Sequence, residues 1–460
     1  MPINTLINKA DISKISEGLD RAKHSNFNNN ELLPLTNPLV TSNNPGEIIK
    51  QKSTAPSLTS DQLKEYIAVA TFVHCMDGWS YLSSATKALF DGEPPISIHL
   101  AYYSELRGAI SFLCSEGILI SNYTQSCIES NDDMYISGVN GALKIDPNST
   151  HTATWDILKK WGDDIAKDTN ILEYFEYKGK TFKELIQYIP GAGKAEAIKL
   201  SIIKKWLLSW SFDIDNYKKD RDERNNTSYN PNINRKFEPI GLKDRLVTLF
   251  DFWSFLEPGA SPFSKLDQQL LILYLNEVYT ASIVNGGENP TGNGSTTGSP
   301  ASPSRENFID QFLENAGIED PVLKELFINN PSNTLLIQAS DKQLDPITGD
   351  IKPLTIIARS ILLLRCCSGA CSFLFRKNSI KREDLEFYLN KIGDDFGIWD
   401  QTAPENLSDL WADIGDLLDD SKVYFKDNNP PNIFTLRSSH PNYSDVYTQF
   451  YRVGLWGFGL

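Results

Sequence analysis

Apolar residues recur every three or four positions along most of this chain, which is the spacing of helices packed on one face. Leu63, Tyr66, Ile67, Ala70, Phe72 and Val73 form such a stripe, opening after Thr59-Ser60-Asp61-Gln62, a helix-start sequence. Residues 98–114 form a second, with Ala101, Tyr102, Leu106, Ala109, Ile110 and Leu113 apolar and Gly117 as a natural stop. The same reading predicts helices over 155–165, 170–188, 195–212, 242–256 and 266–283. Beyond them come 308–315, 322–327, 354–375, 381–391 and 407–418. Strand-like alternation is scarce. Residues 121–149 read as irregular, with a short hairpin over 135–143. The fold class expected is all-α, a helical bundle domain followed by a second helical domain.

The polar gaps set the expected boundaries. Residues 1–58 are rich in Asn, Ser, Pro and Lys and read as a flexible N-terminal arm with one weak helical period at 7–19. Residues 59–284 form the first domain. Residues 285–304, full of Gly, Ser, Thr, Asn and Pro, read as a linker or long surface loop. Residues 305–460 form the second domain, whose aromatic tail from 432 onward is apolar enough to be packed.

Composition narrows the picture. The 460 residues carry a formal net charge of −15, which argues against wrapping nucleic acid with the whole surface but leaves room for a local basic site. Most of the six cysteines lie in apolar helical settings and none in a spaced framework, as expected of reduced thiols in the cytoplasm. No signal peptide and no membrane span are expected.

Three short segments carry candidate chemistry. They are His99-Leu100-Ala101-Tyr102-Tyr103-Ser104-Glu105-Leu106-Arg107, Thr150-His151-Thr152-Ala153-Thr154-Trp155, and Arg224-Asn225-Asn226-Thr227-Ser228-Tyr229. An arginine in a polar stretch can grip phosphate with paired hydrogen bonds. It can equally belong to a solvated helix end. On a helix Tyr229 would lie about 140° around from Arg224. Thr150 is the expected cap of the following helix, with His151 in its first turn, and His99 opens the Tyr-Tyr helix without a chemical role.

In this order the segments resemble the HEPN superfamily, small helical domains of prokaryotic toxin, antiphage and RNA-processing systems. The resemblance spans residues 95–235. It implies a ribonuclease that needs no metal, in which the arginine binds the scissile phosphate and a histidine moves protons. Here Tyr229 stands where that histidine belongs, and no other histidine is close to Arg224 in sequence. A tyrosine, with an unperturbed pKa of about 10, is a poor base at neutral pH. The resemblance therefore implies Arg224, Tyr229 and His151 as catalytic positions and Tyr102, Tyr103, Arg107 and Asn225 as binding positions. The expected activity is binding of RNA, a nucleotide or a protein partner without cleavage, in company with a protein partner or as a homodimer. Cleavage through Arg224 is one alternative. A purely structural interaction protein is the other. No cofactor and no metal site are expected.

Other patterns carry less. Gly191-Ala192-Gly193-Lys194 lacks the glycine and hydroxyl spacing of a phosphate loop. Cys366, Cys367 and Cys371 lack the further ligands of a zinc site. The acidic run Asp409, Asp413, Asp416, Asp419 and Asp420 reads as a solvated helix face. Arg359, Arg365 and Arg376, set in an apolar helix, need partners, and that acidic helix is the expected one.

Overall fold

The computed structural model describes residues 2–51, 58–121, 124–139, 141–145, 149–163, 170–190, 220–222, 224–225, 241–286, 304–329, 333–341, 352–399, 402–430 and 432–460. The helices are α1 (Pro2–Lys9), α2 (Ser13–Ser25), α3 (Pro38–Thr41), α4 (Pro45–Gln51), α5 (Ser60–Phe90), α6 (Pro94–Ser115), α7 (Thr150–Asp163) and α8 (Phe182–Leu185). They continue with α9 (Leu242–Phe255), α10 (Ser264–Gly286), α11 (Arg305–Ala316), α12 (Pro321–Asn329), α13 (Thr334–Ser340), α14 (Pro353–Lys377) and α15 (Arg382–Phe396). The last are α16 (Ala412–Asp427), α17 (Ile433–Ser439), α18 (Ser444–Thr448) and α19 (Tyr451–Gly457). The protein is all-α in class, with two small antiparallel sheets among the described residues.

The centre is the hairpin of α5 and α6. Thr59 and Gln62 close a reciprocal capping box at the start of α5. α6 opens on Pro94-Pro95 and ends before Gly117, whose φ of +83° suits glycine. α14 lies against both helices. A Cβ at Gly78 would come within 2.4 Å of Leu364, and one at Gly108 within 3.1 Å of Leu363, so the two glycines make the seat for α14. Trp79 Nε1 donates to Ser368 Oγ at 3.1 Å, and Ser360 Oγ donates to the Ala101 carbonyl at 3.1 Å. α14 is long and apolar enough to cross a membrane, but its apolar window is wholly buried inside the molecule. All six cysteines are free and buried.

Glu116 sits at the C-terminal end of α6. It is 4% exposed and accepts from Trp161 Nε1 at 3.1 Å and Tyr174 OH at 3.0 Å. Burial nonetheless pushes its carboxyl up to about 7.

Several expectations are corrected. The N-terminal segment is folded where a flexible arm was expected. Leu6, Ile15, Leu19 and Ile49 are buried, and a Cβ at Gly18 would meet the Lys64 carbonyl at 2.3 Å, so α2 lies at backbone distance from α5. The polar residues that suggested a loose arm form ion pairs. Buried Lys64 meets Glu17 at 2.9 Å and Asp132 at 2.6 Å.

Residues 118–136 hold a three-stranded sheet of β1 (Ile118–Ser121), β2 (Thr124–Ile128) and β3 (Met134–Ile136), in place of an irregular stretch and a hairpin over 135–143. Ile118 pairs with Cys127, and Ser126 with Ile136. The helix expected over 170–188 is instead a hairpin of β4 (Glu176–Tyr177) and β5 (Lys180–Thr181), followed by α8. Lys178 and Gly179 both take positive φ, 51° and 73°, as a tight two-residue hairpin turn requires.

The two-domain division is not matched by two cores. One continuous set of buried apolar side chains runs from Leu6 to Phe458, because α14 is buried all round and draws neighbours from both halves. Tyr447, Phe450, Trp456 and Phe458 of the tail are buried, as expected. The arginines of α14 do not pair with the acidic helix. Arg359 pairs with Asp220, Arg365 with Asp267 and Arg376 with Glu176, while Arg452 takes Asp413. Most of the 285–304 segment, the helix expected over 195–212 and the glycine loop at 191–194 lie outside the described residues.

Candidate functional site

Three elements bring the sequence-selected residues together. α6 supplies His99, Tyr102 and Tyr103, α7 supplies His151 and Trp155, and the helical stretch at Asp220–Asp222 and Arg224–Asn225 supplies the arginines. α7 is capped by Ser149, not Thr150, because Ser149 Oγ accepts from Thr152 N at 3.3 Å. His151 does fall in the first turn.

Tyr102 is the floor of the site. It is fully buried, and Trp155 Nε1 donates to its hydroxyl at 3.4 Å. The same hydroxyl lies 3.2 Å from His151 Nδ1. If Tyr102 donates, the imidazole proton sits on Nε2. If Tyr102 accepts from both partners, the lone pair sits on Nε2. The hydroxyl thus suits an imidazole acting as proton donor or as base. The Tyr102 and His151 rings lie nearly parallel with centroids 5.9 Å apart, and Tyr103 meets His151 edge-on at 5.8 Å.

The Arg224 guanidinium carbon lies 5.2 Å above the Tyr102 ring, a cation–π arrangement. Arg221 Nη1 donates to Thr152 Oγ1 at 3.4 Å. Burial holds His151 below 6.5, helped by the charges of Arg224, Arg221 and His99, and burial with Arg224 does the same for His99. Both imidazoles are neutral at pH 7, in a setting where positive charge gathers.

The expected residues divide as follows. Arg224, Tyr102, Tyr103 and His151 converge. Asn225 is half-buried next to Arg224 in the chain. Tyr229 lies outside the described residues. Arg107 sits one turn further along α6, where it donates to His74 Nδ1 at 3.0 Å and lies 3.7 Å from Asp77.

Sequence reading gave His99 no chemical role and passed over the facing side of α5. The His99 ring is 5.0 Å from Tyr103, and Tyr81 stacks on Tyr103 at 5.7 Å. His74, Asp77 and Tyr81 recur at helical spacing inside an otherwise apolar helix, as do His99, Tyr103 and Arg107 on α6. That interruption was the available signal. The result is a half-buried aromatic and cationic strip along the α5–α6 groove.

A separate cleft of about 670 Å³ lies between α1 and the sheet, lined by Lys9, Glu129, Asp133 and Tyr135 among others. Among the described residues, no group of three or more His, Cys, Asp or Glu side chains could hold a metal ion. Comparison with protein-family models, curated proteins and solved structures finds no match to this chain.

Proposed function

We propose that this chain is a HEPN-like component of a bacterial defence or toxin-type system, and that the Arg224–Tyr102–His151 site engages a phosphate of RNA or of a nucleotide. The observation that carries the reading is the position of Arg224 over Tyr102, beside two neutral imidazoles. A guanidinium offers paired donors to a phosphate. Tyr103, stacked on Tyr81, offers a face to a base, and such stacking contributes about 1–3 kcal/mol per base in single-strand binders. The proposed setting is the cytoplasm, with a protein partner or a second copy of the chain.

A second reading, cleavage of RNA, is favoured by one finding. Tyr229 replaces the histidine that the resemblance calls for, yet His151 and His99 stand beside Arg224 in space. Attack by a ribose 2′-hydroxyl on the adjacent phosphate forms a 2′,3′-cyclic phosphate as the P–O5′ bond breaks; a neutral imidazole can take the 2′-hydroxyl proton as base and, once charged, return it to the leaving 5′-oxygen. Arg224 would hold the non-bridging oxygens.

One experiment tests both readings. A fluorescein-labelled single-stranded RNA and labelled nucleotides are titrated with the protein, and the RNA is then examined for shortened products. Arg224→Ala should weaken binding on the order of 10- to 100-fold while costing about 1 kcal/mol or less in stability. His151→Ala should abolish any cleavage while binding persists. Equal binding by the parent and Arg224→Ala would remove the phosphate reading.

A further inference from the structure

We infer that Arg359, on α14 in the C-terminal half, is a positioning residue for the site: through Asp220 it fixes the segment that carries Arg221 and Arg224. The inference rests on the reading of Arg224 as the phosphate-gripping group.

Among the described residues 220–225, only Asp220 is buried, at 2% exposure, while Arg221, Arg224 and Asn225 are half-buried and Asp222 is exposed. A segment so polar has little apolar surface with which to dock. Its buried attachment is electrostatic. Arg359 Nη1 donates to both Asp220 carboxylate oxygens, at 2.9 and 3.2 Å. The rest of the guanidinium is set independently of Asp220. Nε donates to the Ala339 carbonyl and Nη2 to the Asp341 carbonyl, both at 2.9 Å, at the C-terminal end of α13, where a cation is favoured. Arg359 is therefore a rigid socket into which Asp220 fits.

The geometry transmits that fit. Asp220 and Arg224 are four residues apart and share a helical face, so fixing one orients the other. Arg221 reaches Thr152 in the first turn of α7, and Arg224 reaches Tyr102 of α6. Glu105, one helical turn from Tyr102, adjoins the same pair. Burial and the Asp220 charge raise its pKa well above the ordinary carboxylate value, so it stays protonated and leaves Arg359 to Asp220.

The test uses the full chain and first needs no ligand. His99 and His151 are titrated by NMR in the parent and in Asp220→Asn. Loss of the anchor should let both pKa values rise towards 6.5, because Arg224 and Arg221 no longer face them. In an Arg221→Gln/Arg224→Gln background, Asp220→Asn should add no further shift. The affinity for a labelled single-stranded RNA should fall on the order of tenfold in Asp220→Asn, approaching that of Arg224→Ala. If Asn is not tolerated, Arg359→Lys keeps the charge but not the fixed fork of donors that meets Asp220, Ala339 and Asp341, and should shift both histidines in the same direction by a smaller amount. Histidines that titrate as in the parent, in a folded variant, overturn the inference. Shifted histidines with unchanged RNA binding would uphold the positioning role and remove the phosphate reading instead.

Discussion

A buried carboxyl that ionises near neutrality is a pH sensor of stability, whatever else it does. Glu116 has a folded pKa of about 7, against 4.5 for an ordinary glutamate. Between those values the folded state holds a proton that the unfolded state has lost. Its contribution is therefore fully present below pH 4.5 and is lost as pH rises through 7, by roughly 3 kcal/mol. Glu116→Gln keeps an acceptor for Trp161, turns its amide as a donor to the Tyr174 hydroxyl, and cannot ionise. The variant should match or exceed the parent in stability above pH 7, and its urea midpoint should change less between pH 5 and 8. A pH dependence identical to the parent's would mean that another group governs the window. The site residues teach a different lesson at this scale. Tyr102, Tyr103, His151 and Arg224 were singled out not by local pattern but by the order of their segments, which resembles that of a known family. His99 and Tyr81 were not, because their meaning depends on which turn of α5 faces which turn of α6.

Among elements, the helices predicted over 155–165, 242–256, 266–283 and 354–375 are found to within a few residues at each end, while that over 195–212 lies outside the described residues. α6 starts four residues before the apolar stripe, on Pro94-Pro95, and α14 one residue before it, on Pro353, since proline favours a first helical turn. Failures fell where few residues decide the outcome. The β4–β5 hairpin depends on two residues of positive φ, and the three-stranded sheet on strands of three to five residues. The N-terminal helices were missed for another reason. Their apolar positions are sparse, and what holds them is the close approach at Gly18 and the charges around Lys64, neither visible as a hydrophobic period. Gly18→Ala tests this. Its methyl would overlap the Lys64 backbone, so it should cost about 1–3 kcal/mol and speed amide exchange in α1 and α2 before that in α6. An alanine accommodated without loss would show that α2 is not held at backbone distance.

For the whole molecule, the buried apolar side chains of the described residues form one cluster that crosses the boundary expected between two helical domains. The polar run at 285–304 marks a change of composition, but the packing crosses it, because a helix as uniformly apolar as α14 finds partners only where large apolar faces already exist. Those faces belong to α5 and α6. A fragment of residues 1–286 should accordingly be compact but poorly packed, with weak near-ultraviolet circular dichroism and strong binding of a hydrophobic dye. Adding residues 304–460 in trans should strengthen the near-ultraviolet signal and abolish the dye binding. A cooperative unfolding transition for 1–286 alone would restore the two-domain view.

The central helix also binds the far end of the chain. Thr86 Oγ1 donates to the Tyr447 carbonyl at 2.7 Å, and Tyr451 N donates to Ser83 Oγ at 2.8 Å, partners separated by 361 and 368 residues. A ribosome adding ~5–20 residues per second needs tens of seconds to cover that distance. Throughout that time α5 stands outside the exit tunnel with Met76 and Trp79 lacking Gly454, against which they pack in the finished fold. Cells that make this protein must therefore shelter a half-made helix until translation is nearly complete, and its yield should depend on holdase chaperones more than its finished stability would suggest.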